Sequence, residues 1–451
     1  MNHFAYSQDQ LRELARDVLR LAKAAGATDC ATEFSDGSGL SVTVRKGAVE
    51  TIEHNRDKAM GVTVYVGQRR GHASTSDFSA QALHTTVQAA YDIARYTAED
   101  ECAGLPETDT LELNPPKLKL FYSWDIDAPK AIALAKQAED AAFATSSLIR
   151  NSDGASVAAQ HSHFVMANSR GFMGGYPISR HYVSCAPIAQ RGRSSANMQR
   201  DDWYSSQRDP LKLAAPEAIG RYAAERALAR LDARKLPTGN YPVLFEAPLA
   251  AGLLGSFVQA VSGGALYRKS SFLVDSLQQK IFAPHISIIE NPHQNGAMGS
   301  APFDEEGCRT QPRTVVRDGV VQGYFLSTYS ARKLGMKTTG NAGGSHNLHM
   351  LSSRTKKGDD FNAMLKKLGT GLLVTELMGQ GVNYVTGDYS RGAFGYWVEN
   401  GVIQYPVEEF TIASNLRDMY QQIVSIGADT LTRGTKTVGS ILLESMKVAG
   451  I

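Results

Sequence analysis

Four cysteines are few for 451 residues, and Cys30, Cys102, Cys185 and Cys308 lie far apart with no CxxC pair. That spacing excludes a disulfide framework and a zinc ribbon, and leaves four reduced thiols as the reading. No sign of charge prevails: 47 basic residues stand against 45 acidic ones, a net +2. Proteins that neutralise nucleic-acid phosphates usually carry a basic excess, so direct nucleic-acid binding is not expected. Long apolar runs are also missing. The most apolar stretch, Ala247 to Val261, is 15 residues long and is interrupted by Pro248, Ser256 and Gln259. It is too short to span a bilayer and reads as a buried helix. The opening MNHFAYSQDQLREL has no basic segment followed by an apolar one, so no secretory signal is expected. The expectation is a cytoplasmic protein with no membrane contact.

The usual signatures of chemistry are absent as well. There is no G-x-S-x-G, so no nucleophile elbow is signalled. There is no G-x-x-x-x-G-K-[ST] and no G-x-G-x-x-G, which argues against standard phosphate loops. Eleven histidines are present and none precedes a glutamate, so the zinc-protease signature is missing.

Glycine is what the chain has in excess: 41 residues, about 9% against a usual ~7%. The rest of the pattern is α+β. Ser7 and Gln10 form a capping-box pair before a helix over 8–25, with Leu11, Leu14, Val18 and Leu21 as its stripe and Gly26 as its stop. Leu40, Val42 and Val44 alternate as in a strand, Lys46-Gly47 is a turn, and a partner strand follows through Val49 and Ile52. Gly61 to Val66 and Gly71 to Ser74 read as two further strands, and 79–96 as a helix with a serine cap. This predicts a curved antiparallel sheet with helices on one face.

A proline-rich connector over about 97–129 leads to a helix over 129–144. Strands over 149–182 are split by Asp153-Gly154 and by Ser169-Arg170-Gly171, and a helix spans 216–233. Leu236-Pro237-Thr238-Gly239 is the expected domain boundary, giving an N-terminal α+β domain at 1–235 and a β-rich C-terminal domain at 236–451. In the latter, Asp318-Gly319 and Asn400-Gly401 mark hairpins of the type I′ kind. Short helices are expected at 249–262, 326–335, 360–368 and 415–426.

His161 and His163, two apart, share one strand face. They read as a solvated pair or as half of a metal site. His346 and His349 lie in a glycine-rich loop, and neither pair has a third ligand that spacing identifies. The polar glycine-rich segments 337–349 and 378–395 read as plain connecting loops or as backbone that presents N–H and C=O groups to an extended peptide. The residues singled out for peptide contact are Asn341, Gly343, His346, Gly387, Asp388 and Arg391. Asp388 and Arg391 alternatively pair with each other across a tight loop.

These segments carry a resemblance. TELMGQGVNYVTGDYSRGAFGYWVENGVIQYPVE at 375–408 is similar to the C-terminal signature of the TldD/PmbA family, known as modulators of DNA gyrase and as metalloproteases. GGALYRKSSF, PFDEEG, YSARKLGMKTTGNAGG and AAYDIARYTAEDECAGLP resemble the same family in the same order, so nearly the whole chain is covered. Within the family the chain resembles the TldE (PmbA) branch. The resemblance implies a cytoplasmic zinc metalloprotease of two chains enclosing a peptide cavity. Such pairs process microcin-type precursors and degrade unfolded polypeptides such as antitoxins.

TldD-type members carry His-Glu-x-x-x-His on a helix and a cysteine near the C-terminus. The corresponding positions here are Gly255, Ser256 and Ala260, with Val438 near the cysteine position. Glycine and alanine offer no ligand atom, and a serine hydroxyl lacks the basicity that activates a zinc-bound water. The resemblance therefore implies a chain with no catalytic residues and no metal of its own, the zinc belonging to a TldD-like partner. A heterodimer is implied, with a homodimer open to the isolated chain. The alternatives are a metallopeptidase with ligands drawn from His161, His163, His346 or His349, and a non-enzymatic modulator of gyrase.

Overall fold

A reciprocal cap starts the first helix. Ser7 Oγ accepts the Gln10 N–H, and Gln10 Oε1 accepts the Ser7 N–H, at the head of α1 (Gln8–Ala25). Gly26, with φ of 101°, closes the helix in the left-handed region. Leu11, Ala15, Val18 and Ala22 recur at helical spacing and are wholly buried. The computed structural model describes residues 3–192 and 197–451. They form two compact units. The first is Met1–Leu228 with His293–Thr310 and Ala331–Ala342; the second is Ala229–Pro292 with Gln311–Ser330 and Gly343–Ile451.

The first unit is built on one antiparallel sheet. Its strands are β1 (Asp29–Arg45), β2 (Ala48–Val66), β3 (Arg69–Thr75), β4 (Ile149–Asn168), β5 (Met173–Gly174), β6 (Pro177–Gln190), β7 (Met198–Arg200) and β8 (Trp203–Gln207). The order is β3-β2-β1-β4-β6-β7, with β5 on β4 and β8 on β6. Helices α2 (Ala80–Tyr96), α3 (Ala128–Thr145) and α4 (Pro216–Ala229) complete the unit. Ser79 caps α2 and Asp127 caps α3 through side-chain oxygens. α1, α2 and β1, β2 and β4 share one core that includes Phe34, Met60, Val62, Val64, Val87 and Val165. The expected α+β class, with its antiparallel N-terminal sheet, is the one found.

Two strand expectations need correction. The strands anticipated at 49–52 and 61–66 are one continuous strand, β2. β3 covers only Met60–Val66, so residues 48–57 run along an open edge and are exposed on both faces. A strand wet on both sides has no alternation to show in sequence. β4 likewise runs through Asp153-Gly154, where the register shifts between Ser152 and Ala155 and Ser152 Oγ accepts the Gly154 N–H.

Gly71 shows how closely α2 lies on β3. A Cβ there would overlap the Ala90 carbonyl and the Ala94 amide nitrogen, both backbone atoms that cannot swing aside. Gly71→Ala is expected to destabilise the unit by about 1–3 kcal/mol, read as a lower urea midpoint. An unchanged midpoint would show that the helix simply shifts.

From Ala229 onward the chain is β-rich. The strands are β9 (Gly239–Phe245), β10 (Ile286–Asn291), β11 (Arg313–Arg317), β12 (Val320–Val321), β13 (Asn347–Ser352) and β14 (Gly371–Met378). β15 (Asp388–Glu399), β16 (Val402–Asn415), β17 (Ile423–Ile426), β18 (Leu431–Arg433), β19 (Lys436–Val438) and β20 (Ile441–Ala449) follow. They make two six-stranded sheets, β12-β11-β10-β13-β19-β18 and β16-β15-β14-β9-β20-β17. Short helices are α5 (Ala247–Ala260), α6 (Gly263–Tyr267), α7 (Thr328–Lys333), α8 (Phe361–Leu368) and α9 (Leu416–Gln421). Both hairpin turns have positive φ at their two central residues: 49° and 83° at Asp318-Gly319, 51° and 76° at Asn400-Gly401. The helix expected at 415–426 is shorter: Ile423–Ile426 is β17, drawn into antiparallel pairing with β20. Among the described residues no helix is long and apolar enough to cross a membrane.

Candidate functional site

Helix α5 packs against β18 and β19 on one side and touches β14. Its apolar residues Leu253, Leu254 and Phe257 are buried. Phe257 meets Phe282 edge-on with ring centroids 5.0 Å apart, and Phe282 stacks on Tyr420 at 4.5 Å. Tyr420 Oη donates to the Leu253 carbonyl at 3.2 Å, which pins the helix to this aromatic group.

Another part of α5 is bare. A Cβ at Gly252 would meet nothing within 4 Å, and one at Gly255 would meet only Lys436 Cε, at 3.6 Å. Ser256 Oγ donates back to the Gly252 carbonyl at 3.2 Å, a bond internal to the helix. Ala260 and Val438 are wholly buried and apolar. This donor set does not fit a metal ion: Gly255, Ala260 and Val438 carry no donor, the Ser256 hydroxyl bonds within its own helix, and an ammonium stem lies alongside. Lys436 is half-buried, and burial lowers its pKa. Among the described residues its ammonium has no ion-pair or hydrogen-bond partner.

The strongest electrostatic feature of the second unit was not read from sequence. Glu290, 2% exposed, lies on β10 opposite Leu348 of β13. Its Oε1 accepts the His346 N–H at 2.8 Å and His346 Nδ1 at 3.1 Å, and its Oε2 accepts Arg313 Nε at 2.7 Å. The Arg313 guanidinium lies 5.0 Å from the centroid of the Phe325 ring. Burial alone would raise the Glu290 pKa, but the His346 hydrogen bond and the Arg313 charge bring it down to about 2. The signal available was a lone charged residue on the inward register of the alternating ISIIEN segment.

The other residues chosen from sequence are dispersed. Asn341 belongs to the first unit, is 4% exposed, and accepts the Thr339 hydroxyl at 2.8 Å. Gly343, His346, Gly387, Asp388 and Arg391 belong to the second. Gly343 is exposed with φ of 90°. Gly387, at φ 84°, fits a tight turn where a Cβ would press on Asn415 and Phe272 at 3.0 Å. Asp388 accepts Thr386 Oγ1 at 2.6 Å and Asn415 Nδ2 at 3.3 Å, while Arg391 Nε donates to the Met378 carbonyl at 3.1 Å. Asp388 and Arg391 therefore do not pair with each other.

His161 and His163 do not lie on a solvated face. They are 5% and 2% exposed on the covered side of β4. The segment His3–Tyr6 lies over them: His3 stacks on His161 at 3.9 Å and Phe4 on His163 at 4.1 Å. The N–H groups of Ala5 and Tyr6 donate to Asp36 Oδ2 at 2.6 and 2.9 Å, and that carboxylate faces His163 Nε2 at 3.5 Å. His161 Nε2 accepts the Trp124 N–H at 3.1 Å, which commits the lone pair a metal would need. Burial first, then the neighbouring His3 and His181, push the His161 pKa down to about 4. His349 lies opposite Ile289 and Thr437 on the face away from Lys436, and among the described residues its buried Nε2 has no hydrogen-bond partner.

Among the described residues one group of potential ligands gathers in the first unit, Asp304, Glu306 and Cys308. Asp304 Oδ1 accepts the N–H groups of Glu306 and Cys308, and Oδ2 that of Ala342. Burial and the Glu306 charge outweigh these bonds and lift its pKa to about 7. The carboxyl acts as a loop clamp, with both oxygens already accepting backbone N–H groups.

Models of three PmbA/TldA metallopeptidase domains match this chain: domain 1 over residues 32–94, the central domain over 121–231 and the C-terminal domain over 238–450. Metalloprotease PmbA of Escherichia coli O157:H7 is 46% identical over 98% of this chain and 96% of its own length. The chain belongs to the PmbA/TldD family. A Haemophilus influenzae metalloprotease PmbA homologue is 43% identical over 98% of this chain and 97% of its own. A Bacteroides thetaiotaomicron structure described as a modulator of DNA gyrase superposes with a TM-score of 0.92 at 26% identity, over 99% of this chain and 100% of that one. TldE of Thermococcus kodakarensis shares the fold, with a TM-score of 0.82 at 18% identity over 97% of this chain and 100% of that one.

Proposed function

We propose that the chain is the non-catalytic subunit of a two-chain cytoplasmic zinc metalloprotease, and that it forms part of the cavity that holds unfolded peptides. The observation carrying this reading is the donor chemistry of α5. Gly255 and Ala260 carry no ligand atom, Ser256 Oγ bonds within its own helix, and Lys436 lies beside Gly255. A catalytic zinc centre needs three protein ligands and an open position. The names of the relatives support proteolysis as the activity of the assembly. The reading therefore assigns the zinc to a TldD-type partner, with which this chain forms a heterodimer. Substrates of the microcin-precursor and antitoxin kind are part of it. Asn341, Gly343, His346, Gly387, Asp388 and Arg391 are kept as peptide-contact candidates, Gly387 through backbone groups only.

The test is co-expression with the TldD-type chain of the same genome. The expected result is co-purification, zinc in the pair, and chelator-sensitive cleavage of an unfolded peptide. The chain alone is expected to hold far less than one zinc, measured by atomic emission, and to cleave nothing. One tightly bound zinc per isolated chain would overturn the assignment in favour of a metallopeptidase with ligands of its own.

A further inference from the structure

We infer that Lys436, beside the bare face of α5 at Gly252 and Gly255, is a carboxylate-binding residue for the substrate, taking the C-terminal carboxylate of a peptide. This rests on the peptide-handling reading above and names the part of the peptide that is held.

Four observations carry it. The Lys436 stem passes 3.6 Å from where a Gly255 Cβ would stand, and nothing lies within 4 Å of the same point at Gly252. Helix backbone is thus open to close approach beside the ammonium. The ammonium has no acid or acceptor of its own among the described residues. The buried carboxylate in the same row of the sheet is already committed. Glu290 pairs across β10 and β13 with Leu348, and Leu348 with Lys436, but Glu290 binds Arg313 and His346. Finally, Lys436 is half-buried and burial lowers its pKa, so its charge is under-solvated. Such a cation gains most from an incoming anion, because Coulomb attraction strengthens as water is excluded.

The occupant follows from chemistry. A single ammonium is a point charge with three donors and suits one carboxylate without demanding a planar fork. A chain terminus brings its carboxylate directly on the backbone. The missing side chains at Gly252 and Gly255 leave room for that backbone. An acidic side chain offers the same carboxylate from a longer arm, so the test separates the two sources.

The full chain is reductively methylated with carbon-13, which keeps the lysine charges. The Lys436 resonance is assigned by its loss in Lys436→Arg. N-acetylglycine is expected to move this resonance saturably and to raise its titration midpoint, whereas N-acetylglycinamide leaves it unmoved. Gly255→Leu, which fills the open face, is expected to abolish the response. No movement of the resonance with N-acetylglycine would overturn the proposal, whatever peptides do.

Binding of one unstructured peptide is then compared by anisotropy in three forms: free acid, amide, and amide with one internal glutamate. The free acid is expected to bind about tenfold tighter than the plain amide, with the difference lost in Lys436→Met. Tight binding of the glutamate form instead would overturn the chain terminus as source. Equal binding of all three overturns the anchor and leaves the peptide reading standing. A resonance that responds to N-acetylglycine while no peptide binds upholds the carboxylate site and removes the peptide reading.

Discussion

Glu290→Ala is expected to destabilise the second unit by about 3–5 kcal/mol. Removing this carboxylate takes its acceptor oxygens away from Arg313 Nε and from the N–H and Nδ1 of His346 in a largely buried place. Losing one partner of a buried charge network costs far more than the network is worth as a whole, because the remaining charge stays unsolvated. Hydrogen exchange over 286–291 and 346–352 is the direct measurement. The expected acceleration is roughly a hundredfold or more where exchange follows opening of the unit. Glu290→Gln keeps the shape and is expected to fall between the two. Exchange unchanged in the alanine variant would remove the network as a stabilising element.

The same carboxylate sets an acid limit. A glutamate in an unfolded chain titrates near ~4.3, and Glu290 is held down at about 2 in the fold. Its contribution is complete above the unfolded value and is lost as pH falls from there toward 2.

Lowering the pH from 7 to 4 is expected to weaken the first unit well before Glu290 titrates. Burial lowers the pKa of His161, His163 and His181, with Asp36 partly opposing this at His163 and the Tyr122 carbonyl at His181. The sign is fixed by which state binds the proton. The unfolded chain takes up protons near the usual ~6.5 while the buried rings stay neutral, so stability falls as pH drops below that value. For His161 the loss stops growing near pH 4, where the folded ring also charges. A shift of that size is worth up to roughly 3 kcal/mol.

Proton uptake at this place also disturbs a specific contact. His161 stacks on His3 and lies 5.2 Å from His181, and both neighbours oppose a charge on its ring. Urea midpoints measured across this pH range should fall steeply in the wild type and less so in His161→Phe. Burial lowers the pKa of His285 and His349 in the second unit too, so the variant isolates the first unit's share. Equal slopes in the two proteins would show that the cluster under His3–Tyr6 is not the acid-sensitive element.

The helices were the most legible part of the fold. Ser7 with Gln10, Ser79 and Pro129 state their local roles in the residues themselves, because capping and first-turn proline depend only on near neighbours. The hairpins at Asp318-Gly319 and Asn400-Gly401 were equally plain. Few side chains tolerate positive φ, so the dipeptide and the turn are nearly one fact. Strand extent was less legible. Residues 48–57 are wet on both faces and 153–154 form a bulge, and neither produces a period of two. α9 stopped short of 426 because pairing with β20, distant in sequence, claimed Ile423–Ile426.

The site divides in the same way. Long segments matching in order already identify the family, and residues 255, 256 and 260 already lack metal-binding side chains, before any fold is known. That His161 and His163 lie in a covered core follows from packing alone, since the strand period is the same whether that face meets water or α1. The tertiary structure alone brought Glu290 to Arg313 and His346 across three separate segments. It also placed Lys436, 181 residues beyond Gly255 in the chain, against that glycine. Long-range pairing of β19 with β13 and packing on α5 made that contact, and such contacts depend on the whole fold rather than on any local run of residues.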